Sequence, residues 1–94
     1  MVEISFNDLF KLNNPYIIDI RSVEKYNDNH IPNSINIYYN LLLSNPSKFL
    51  NKNTTYYIYC QRGITSRKVS ELLRIYGYDV ISIIGGWEQY ILNK

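Results

Sequence analysis

The chain has 94 residues, 46% of them hydrophobic and 19% charged, and its formal net charge is +2. This composition is typical of one small globular domain, since a disordered chain is less apolar and a second domain would lack the length for its own core. Lys and Arg are scattered along the sequence, which argues against a nucleic-acid surface. The chain has one cysteine and one histidine, so it can form neither an intramolecular disulfide nor a multi-cysteine zinc site.

The first half of the sequence predicts short strands that alternate with short helices. Ser5 is suited to cap a helix that runs to Leu12, and Ser22 is suited to cap a second helix over residues 23–27. Short continuous apolar runs indicate strands that are covered on both faces of a parallel sheet. The strands predicted in this half are Glu3–Ile4, 16–20 and 35–37, and the further helices are 39–43 and a turn with Pro46 at its first position.

The second half continues this alternation around one strongly amphipathic helix. Apolar residues at i, i+3, i+4 and i+7 predict a helix over residues 66–76, and Gly77 is suited to end it. Strands are predicted at residues 56–59 and 80–84, and a last helix follows Gly85-Gly86. Short strands that alternate with helices over the whole chain predict an α/β fold with a mainly parallel sheet.

Four segments that directly follow predicted strands are expected to meet at one edge of the sheet. Ligands of parallel α/β sheets bind there, outside the carboxyl ends of the strands. One segment contains Cys60, the single cysteine of the chain, so a site around Cys60 is predicted at this edge. The segments are Asp19-Ile20-Arg21, Tyr38-Tyr39, Cys60-Gln61-Arg62 and Gly85-Gly86-Trp87.

Cys60 lies where a strand turns sharply into the amphipathic helix. Gly63 permits the backbone angles that such a turn needs, and successive N–H groups in the turn would form a concavity that binds anions. The positive end of the helix dipole adds to this, and such a setting favours a thiolate. Arg62 and Arg67 are candidates for further positive charge at the mouth. The alternative is that Cys60 is a small buried hydrophobic residue without a chemical role.

The chain offers no obvious acid–base partner for Cys60. His30 is the single histidine, so a cysteine–histidine hydrolase would depend on it alone. His30 begins a tight turn, and structural hydrogen bonds are expected of it there. Structural roles are likewise expected near the sheet edge: an ion pair and turn hydrogen bonds for Asp19, Arg21 and Glu24, and packing for Trp87.

Four segments, in the order in which they occur, resemble the rhodanese-like domain, a family of sulfurtransferases. Each motif alone is weak, but together they cover nearly the whole chain. The active-site loop of the family is commonly Cys-x-x-Gly-x-Arg followed by Ser or Ala, and this chain has Thr65 in place of the Arg. Asn29 and Asn33 stand where the family usually has glycines. The matching segments are residues 17–21, 30–37, 57–66 and 84–87.

The resemblance implies a five-stranded mainly parallel sheet with helices on both faces, and a cysteine that cycles through a persulfide. Cys60 would take a sulfane sulfur from a donor such as thiosulfate or a persulfide, and a thiol or cyanide would remove it. Because there is no second cysteine, the acceptor must be another molecule. No cofactor or metal is implied. The residues that would bind the substrate, mainly through main-chain N–H groups, are Gln61, Arg62, Gly63, Ile64, Thr65, Ser66 and Arg67.

Thr65 bears on the choice of donor and on two alternatives. It carries no charge to hold a dianion, so a persulfide is expected to be a better donor than thiosulfate unless Arg62 or Arg67 compensates. The same replacement supports a binding or redox-sensing module of this fold in which Cys60 is weakly active or inert. A cysteine-loop phosphatase, which resembles Cys-x5-Arg, would need an arginine at the position of Ser66.

Location and partners are predicted from two further features. No apolar run approaches the roughly 20 residues that span a bilayer. The N-terminus lacks the basic segment before an apolar one that marks a secretory signal. Membrane binding is therefore not expected, and the scattered Lys and Arg argue against nucleic acid. The single cysteine fits a reducing cytoplasm, and a monomer is expected because nothing in the sequence suggests an obligate dimer.

Overall fold

The structure is a computed structural model that describes residues 2–93. Within these residues, five short strands alternate with six helices. The strands are β1 (Glu3–Ile4), β2 (Tyr16–Asp19), β3 (Ile35–Asn36), β4 (Thr55–Tyr59) and β5 (Asp79–Ile83). The helices are α1 (Phe6–Leu9), α2 (Val23–Asp28), α3 (Tyr39–Ser44), α4 (Pro46–Phe49), α5 (Ile64–Ile75) and α6 (Gly86–Leu92).

The five strands form one sheet in the order β1-β5-β4-β2-β3, and each pairing is parallel. This confirms the predicted five-stranded sheet. β4 lies in the centre, where Ile58 pairs with Ile18 of β2 on one side and with Ser82 of β5 on the other. Because parallel strands place their carboxyl ends at one edge, Cys60, the residue after β4, lies at the middle of that edge.

Helices cover both faces of the sheet, as predicted, and each face has its own hydrophobic cluster. Side chains alternate along a strand, so Ile58 and Tyr59 of β4 point to opposite faces. Ile58 packs with residues of α3 and α5, and Tyr59 with residues of α1 and α6. The first cluster includes Leu42, Leu50, Val69 and Leu73, and the second includes Phe6, Leu9, Ile31 and Trp87.

Two helix boundaries differ substantially from the predictions. α1 ends at Leu9 rather than Leu12, because residues 10–12 are exposed and the last two of them donate to carbonyls three residues back instead of four. α5 begins at Ile64 rather than Ser66, because Gly63 adopts φ +88 and occupies the N-cap position. Thr65 therefore lies within the first turn of α5.

The other boundaries agree with the predictions or differ by one residue. The caps predicted for α1 and α2 are confirmed: Ser5 Oγ accepts from the N–H of Asp8 at 3.1 Å, and Ser22 Oγ accepts from that of Lys25 at 3.4 Å. Within residues 2–93 no helix is long and apolar enough to cross a membrane, and α5, with 12 residues, is the longest. The one-residue differences are at the ends of β2, α2, β3, α3 and α5, at the starts of β4 and α6 and at both ends of β5.

Candidate functional site

Cys60 directly follows the central strand β4 and is 7% exposed. The chain then turns sharply into α5. Gly63 makes this turn with φ +88, in the left-handed region that favours glycine, and a Cβ there would lie 2.8 Å from the main-chain N of Gly85. The turn therefore needs glycine both for its backbone angle and for the close approach of Gly85.

Two main-chain N–H groups donate hydrogen bonds to the sulfur of Cys60. The Sγ accepts hydrogen bonds from the N–H of Gly63 at 3.1 Å and from that of Ser66 at 3.3 Å, and it lies 3.4 Å from Ser66 Oγ. One N–H group belongs to the turn and the other to the first turn of α5, where the helix dipole adds partial positive charge. Fixed main-chain dipoles therefore stabilise a negative charge on this sulfur.

Four further N–H groups of the same loop donate to no acceptor within residues 2–93. For Ile64 and Thr65 this is expected, because the first N–H groups of a helix have no intrahelical partner. Successive unpaired N–H groups in such a turn are suited to bind an anion. They belong to Gln61, Arg62, Ile64 and Thr65.

The start of α6 holds the loop from its other side. The N–H of Trp87 donates to the carbonyl of Cys60 at 2.8 Å, and the N–H of Glu88 donates to that of Gln61 at 3.0 Å. Gly86 makes this approach possible, since a Cβ there would lie 2.3 Å from the Cys60 carbonyl oxygen. This rim segment therefore positions the loop through its backbone, a role that the sequence motif did not reveal.

The predicted ion pair at the rim is confirmed for Asp19 and Arg21. Arg21 Nη2 lies 2.8 Å from Asp19 Oδ2, and Tyr59 donates its hydroxyl to the same buried carboxylate. Burial, and then this hydrogen bond, raise the pKa of Tyr59 well above its usual range, so its hydroxyl remains a donor. Trp87 packs over the Arg21 guanidinium at 4.7 Å, in the predicted packing role.

The predicted ion pair was wrong for Glu24, which is exposed and forms no ion pair within residues 2–93.

His30 has the predicted structural role. Its Nδ1 lies 2.8 Å from the carbonyl oxygen of Tyr26, and its ring stacks on that of Tyr26 with centroids 3.8 Å apart. It lines neither of the cavities that reach Cys60. The described chain therefore does not form the cysteine–histidine pair that a hydrolase would need.

Two open cavities reach Cys60, one of about 210 Å³ and one of about 370 Å³. Gln61, Thr65 and Lys25 of α2 line both of them, and Lys25 forms no ion pair within residues 2–93. An unpaired cation in cavities that reach the thiol favours anionic ligands there. Further lining comes from Arg21, Tyr38 and Tyr39 in the smaller cavity and from Arg62 and Ile64 in the larger.

Lys25 is the cation at this mouth that sequence reasoning missed. Its place in the first helix after β2, close to the predicted rim, was the available signal. Of the two arginines that were expected to compensate for Thr65, Arg62 lines the larger cavity and Arg67 lines neither. A further cavity of about 510 Å³ lies away from Cys60, and its lining includes Leu9 of α1 together with Phe10 and Leu12, which follow that helix.

Comparisons with known proteins agree on one family. A model described as the rhodanese-like domain matches residues 5–93. Over 88 residues the chain is 34% identical to adenylyltransferase and sulfurtransferase uba4 of Ogataea parapolymorpha, covering 93% of this chain and only 23% of that protein. Over 84 residues it is 31% identical to thiosulfate sulfurtransferase GlpE of Coxiella burnetii, covering 88% and 78%. The crystal structure of a rhodanese-like domain protein from Staphylococcus aureus superposes with a TM-score of 0.83 at 31% identity, covering 96% and 91%.

Proposed function

Because the chain belongs to the rhodanese-like domain family, we propose that it is a sulfurtransferase that carries a sulfane sulfur on Cys60. The setting of the sulfur supports this most strongly. The Sγ accepts two main-chain hydrogen bonds at the start of α5 and lies at the end of two open cavities. A cysteine that served only to fill the core would need neither feature. The two relatives described above both carry the word sulfurtransferase in their names.

The reaction would proceed in two displacements at sulfur. The Cys60 thiolate attacks the sulfane sulfur of the donor, a new S–S bond forms, and the S–S bond of the donor breaks. The leaving group departs with the electron pair, as sulfite from thiosulfate or as a thiolate from a persulfide. An acceptor thiolate or cyanide then attacks the outer sulfur and restores the Cys60 thiolate. The acceptor is another molecule, because the chain has one cysteine.

The loop would hold the negative charge in both states of the cycle. In the free thiolate this charge lies on Sγ, which already accepts from Gly63 and Ser66. In the persulfide it lies on the outer sulfur, and the unpaired N–H groups of the loop are expected to donate to it. Preorganised main-chain donors aimed at a developing charge need no reorganisation during the reaction.

A cysteine-loop phosphatase fits this geometry less well. That reaction needs an arginine at the position of Ser66 to hold the phosphoryl oxygens, and Arg67, the next residue, lines neither cavity beside Cys60. Ser66 instead places its N–H and hydroxyl against the sulfur. The predicted cytoplasmic location, monomeric state and absence of membrane or nucleic-acid partners stay predictions.

Intact-mass measurement after incubation with a panel of donors tests the proposal. A gain of about 32 Da, one sulfur atom, is expected on Cys60 with a low-molecular-weight persulfide and, to a smaller extent, with thiosulfate. The added sulfur should be removed by cyanide. Absence of any gain with all donors would contradict sulfur transfer and favour the binding or redox-sensing module instead.

Lys25 is expected to bind the anionic group of the donor. In Lys25→Met, which keeps most of the length of the side chain and removes its charge, KM for thiosulfate should rise about fivefold with kcat nearly unchanged, as for the loss of an exposed ion pair. The effect should shrink at high salt. Steady-state kinetics measure both constants. Lys68→Met, which removes an exposed charge of α5 that lines neither cavity, is the control. A fall in kcat without a change in KM would contradict a binding role.

A further inference from the structure

A buried pair of serine hydroxyls lies beneath the sulfur of Cys60. Ser66 Oγ is 3.4 Å from Cys60 Sγ on one side and 2.8 Å from Ser82 Oγ on the other. Both serines are 0% exposed, and the Ser82 hydroxyl makes no other hydrogen bond within residues 2–93. The two hydroxyls and the sulfur therefore form a continuous hydrogen-bonded chain that starts on β5.

Ser82 occupies a position that is otherwise apolar. It pairs with Ile58 in the sheet and, like Val80 two residues earlier, points to the face covered by α5. A hydroxyl buried on that face costs free energy unless it is hydrogen-bonded. Its bond to Ser66 offsets this cost and places Ser82 beside the hydroxyl that lies against the sulfur.

The direction of the hydrogen bonds depends on the charge of the sulfur, because each hydroxyl has one hydrogen to donate. In the thiol, the S–H of Cys60 donates to Ser66, and Ser66 donates to Ser82. Once the thiol proton has left to solvent, the sulfur can only accept. Ser66 then turns its hydrogen to the sulfur and accepts from Ser82 in its turn.

We propose that Ser82 is a positioning residue, which holds the Ser66 hydroxyl as a donor to the Cys60 thiolate. The bond from Ser82 polarises the Ser66 O–H group, and polarised hydrogen bonds in a chain strengthen one another. The proposal rests on the proposed function, since that function makes the thiolate the nucleophile. Its test measures the thiolate itself and does not require sulfur transfer.

The test compares Ser82→Thr with Ser82→Val, two side chains of nearly the same shape that differ in the hydroxyl. The readouts are the alkylation rate of Cys60 by iodoacetamide at neutral pH and the ultraviolet absorbance of the thiolate. Ser82→Val should be alkylated about threefold more slowly than Ser82→Thr. Ser66→Ala, which removes a direct donor to a charged atom, should be about tenfold slower than the wild type.

Ser70→Ala is the matched control. Ser70 is a buried serine of the same helix as Ser66, and its hydroxyl donates to the carbonyl of Arg67, away from the sulfur. Loss of the Ser70 hydroxyl should leave the alkylation rate of Cys60 unchanged.

Ser82→Ala is a second variant for the case in which the larger threonine and valine side chains prevent folding. It adds no volume to the core, and its alkylation rate is compared with that of the wild type.

Two outcomes would overturn the proposal. Equal alkylation rates in Ser82→Thr and Ser82→Val would show that the hydroxyl of Ser82 does not act on the sulfur. Faster alkylation in Ser82→Val would indicate a loosened loop, because a purely structural defect exposes Cys60 instead of weakening its thiolate. If the wild type took up no sulfur from any donor, the proposed function would fail, and the order of alkylation rates would still decide the role of Ser82.

Discussion

Replacing Cys60 with serine is expected to abolish sulfur transfer, with a loss of about a thousandfold or more in kcat/KM for every donor. The hydroxyl stays protonated at neutral pH and offers no thiolate to attack a sulfane sulfur. Because the chain has one cysteine, no other thiol can take its place. The measurement is donor-dependent formation of thiocyanate from cyanide, with intact mass recorded on the same samples.

The Cys60→Ser protein should remain folded, which makes the loss of activity interpretable. The new oxygen can still accept from the N–H groups of Gly63 and Ser66, which now donate to the sulfur. We expect the free energy of unfolding in urea to change by less than about 1 kcal/mol. Substantial turnover in a folded Cys60→Ser protein would contradict the assignment of the nucleophile.

Replacing Gly86 with alanine is expected to disable the site by displacing the loop. The new Cβ would lie 2.3 Å from the carbonyl oxygen of Cys60 and 2.9 Å from the N of Gly63, and both are main-chain atoms that cannot rotate away. Gly86 also has φ +61, a left-handed conformation that costs an alanine about 1 kcal/mol. Because displacements of about 1 Å at a reacting centre cost about a hundredfold in rate, sulfur transfer should fall by at least that factor.

The stability of Gly86→Ala should fall by about 3 kcal/mol, of which about 2 kcal/mol comes from overpacking. Gly77→Ala is the matched control. Gly77 also has a left-handed φ of +95, but its nearest neighbour would be the mobile end of Lys52 at 3.4 Å. It should lose about 1 kcal/mol of stability and no activity. Equal activities of the two variants would contradict the supporting role of α6.

Much of the fold was predictable because its signals are local. Apolar runs marked the strands, and the helical spacing of α5 and the serine caps of α1 and α2 marked the helices. Two helix boundaries were nevertheless misplaced. α1 stops three residues early because the N–H groups of Lys11 and Leu12 bond three residues back instead of four, and α5 starts two residues early because Gly63 adopts a left-handed φ at the N-cap.

The candidate site was predictable to a smaller extent. Cys60 and its loop were recognisable as a strand, a turn and a helix start, in continuous sequence. Lys25 was not, because it reaches the same cavities from a different helix, 35 positions before Cys60 in the printed chain. The contact of Gly86 with the Cys60 carbonyl and the bond of Ser82 to Ser66 were missed for the same reason.

By itself, the sequence determined that this chain forms an α/β domain and that its single thiol follows a strand and precedes a helix. Those properties depend on backbone preferences and hydrophobic periodicity, which act over a few neighbouring residues. Only the tertiary structure decided what surrounds that thiol: an unpaired lysine at the mouth, a glycine contact behind the loop and a buried hydroxyl pair beneath the sulfur. Such contacts depend on distances between separate elements, and these are set only when the sheet and its helices pack together.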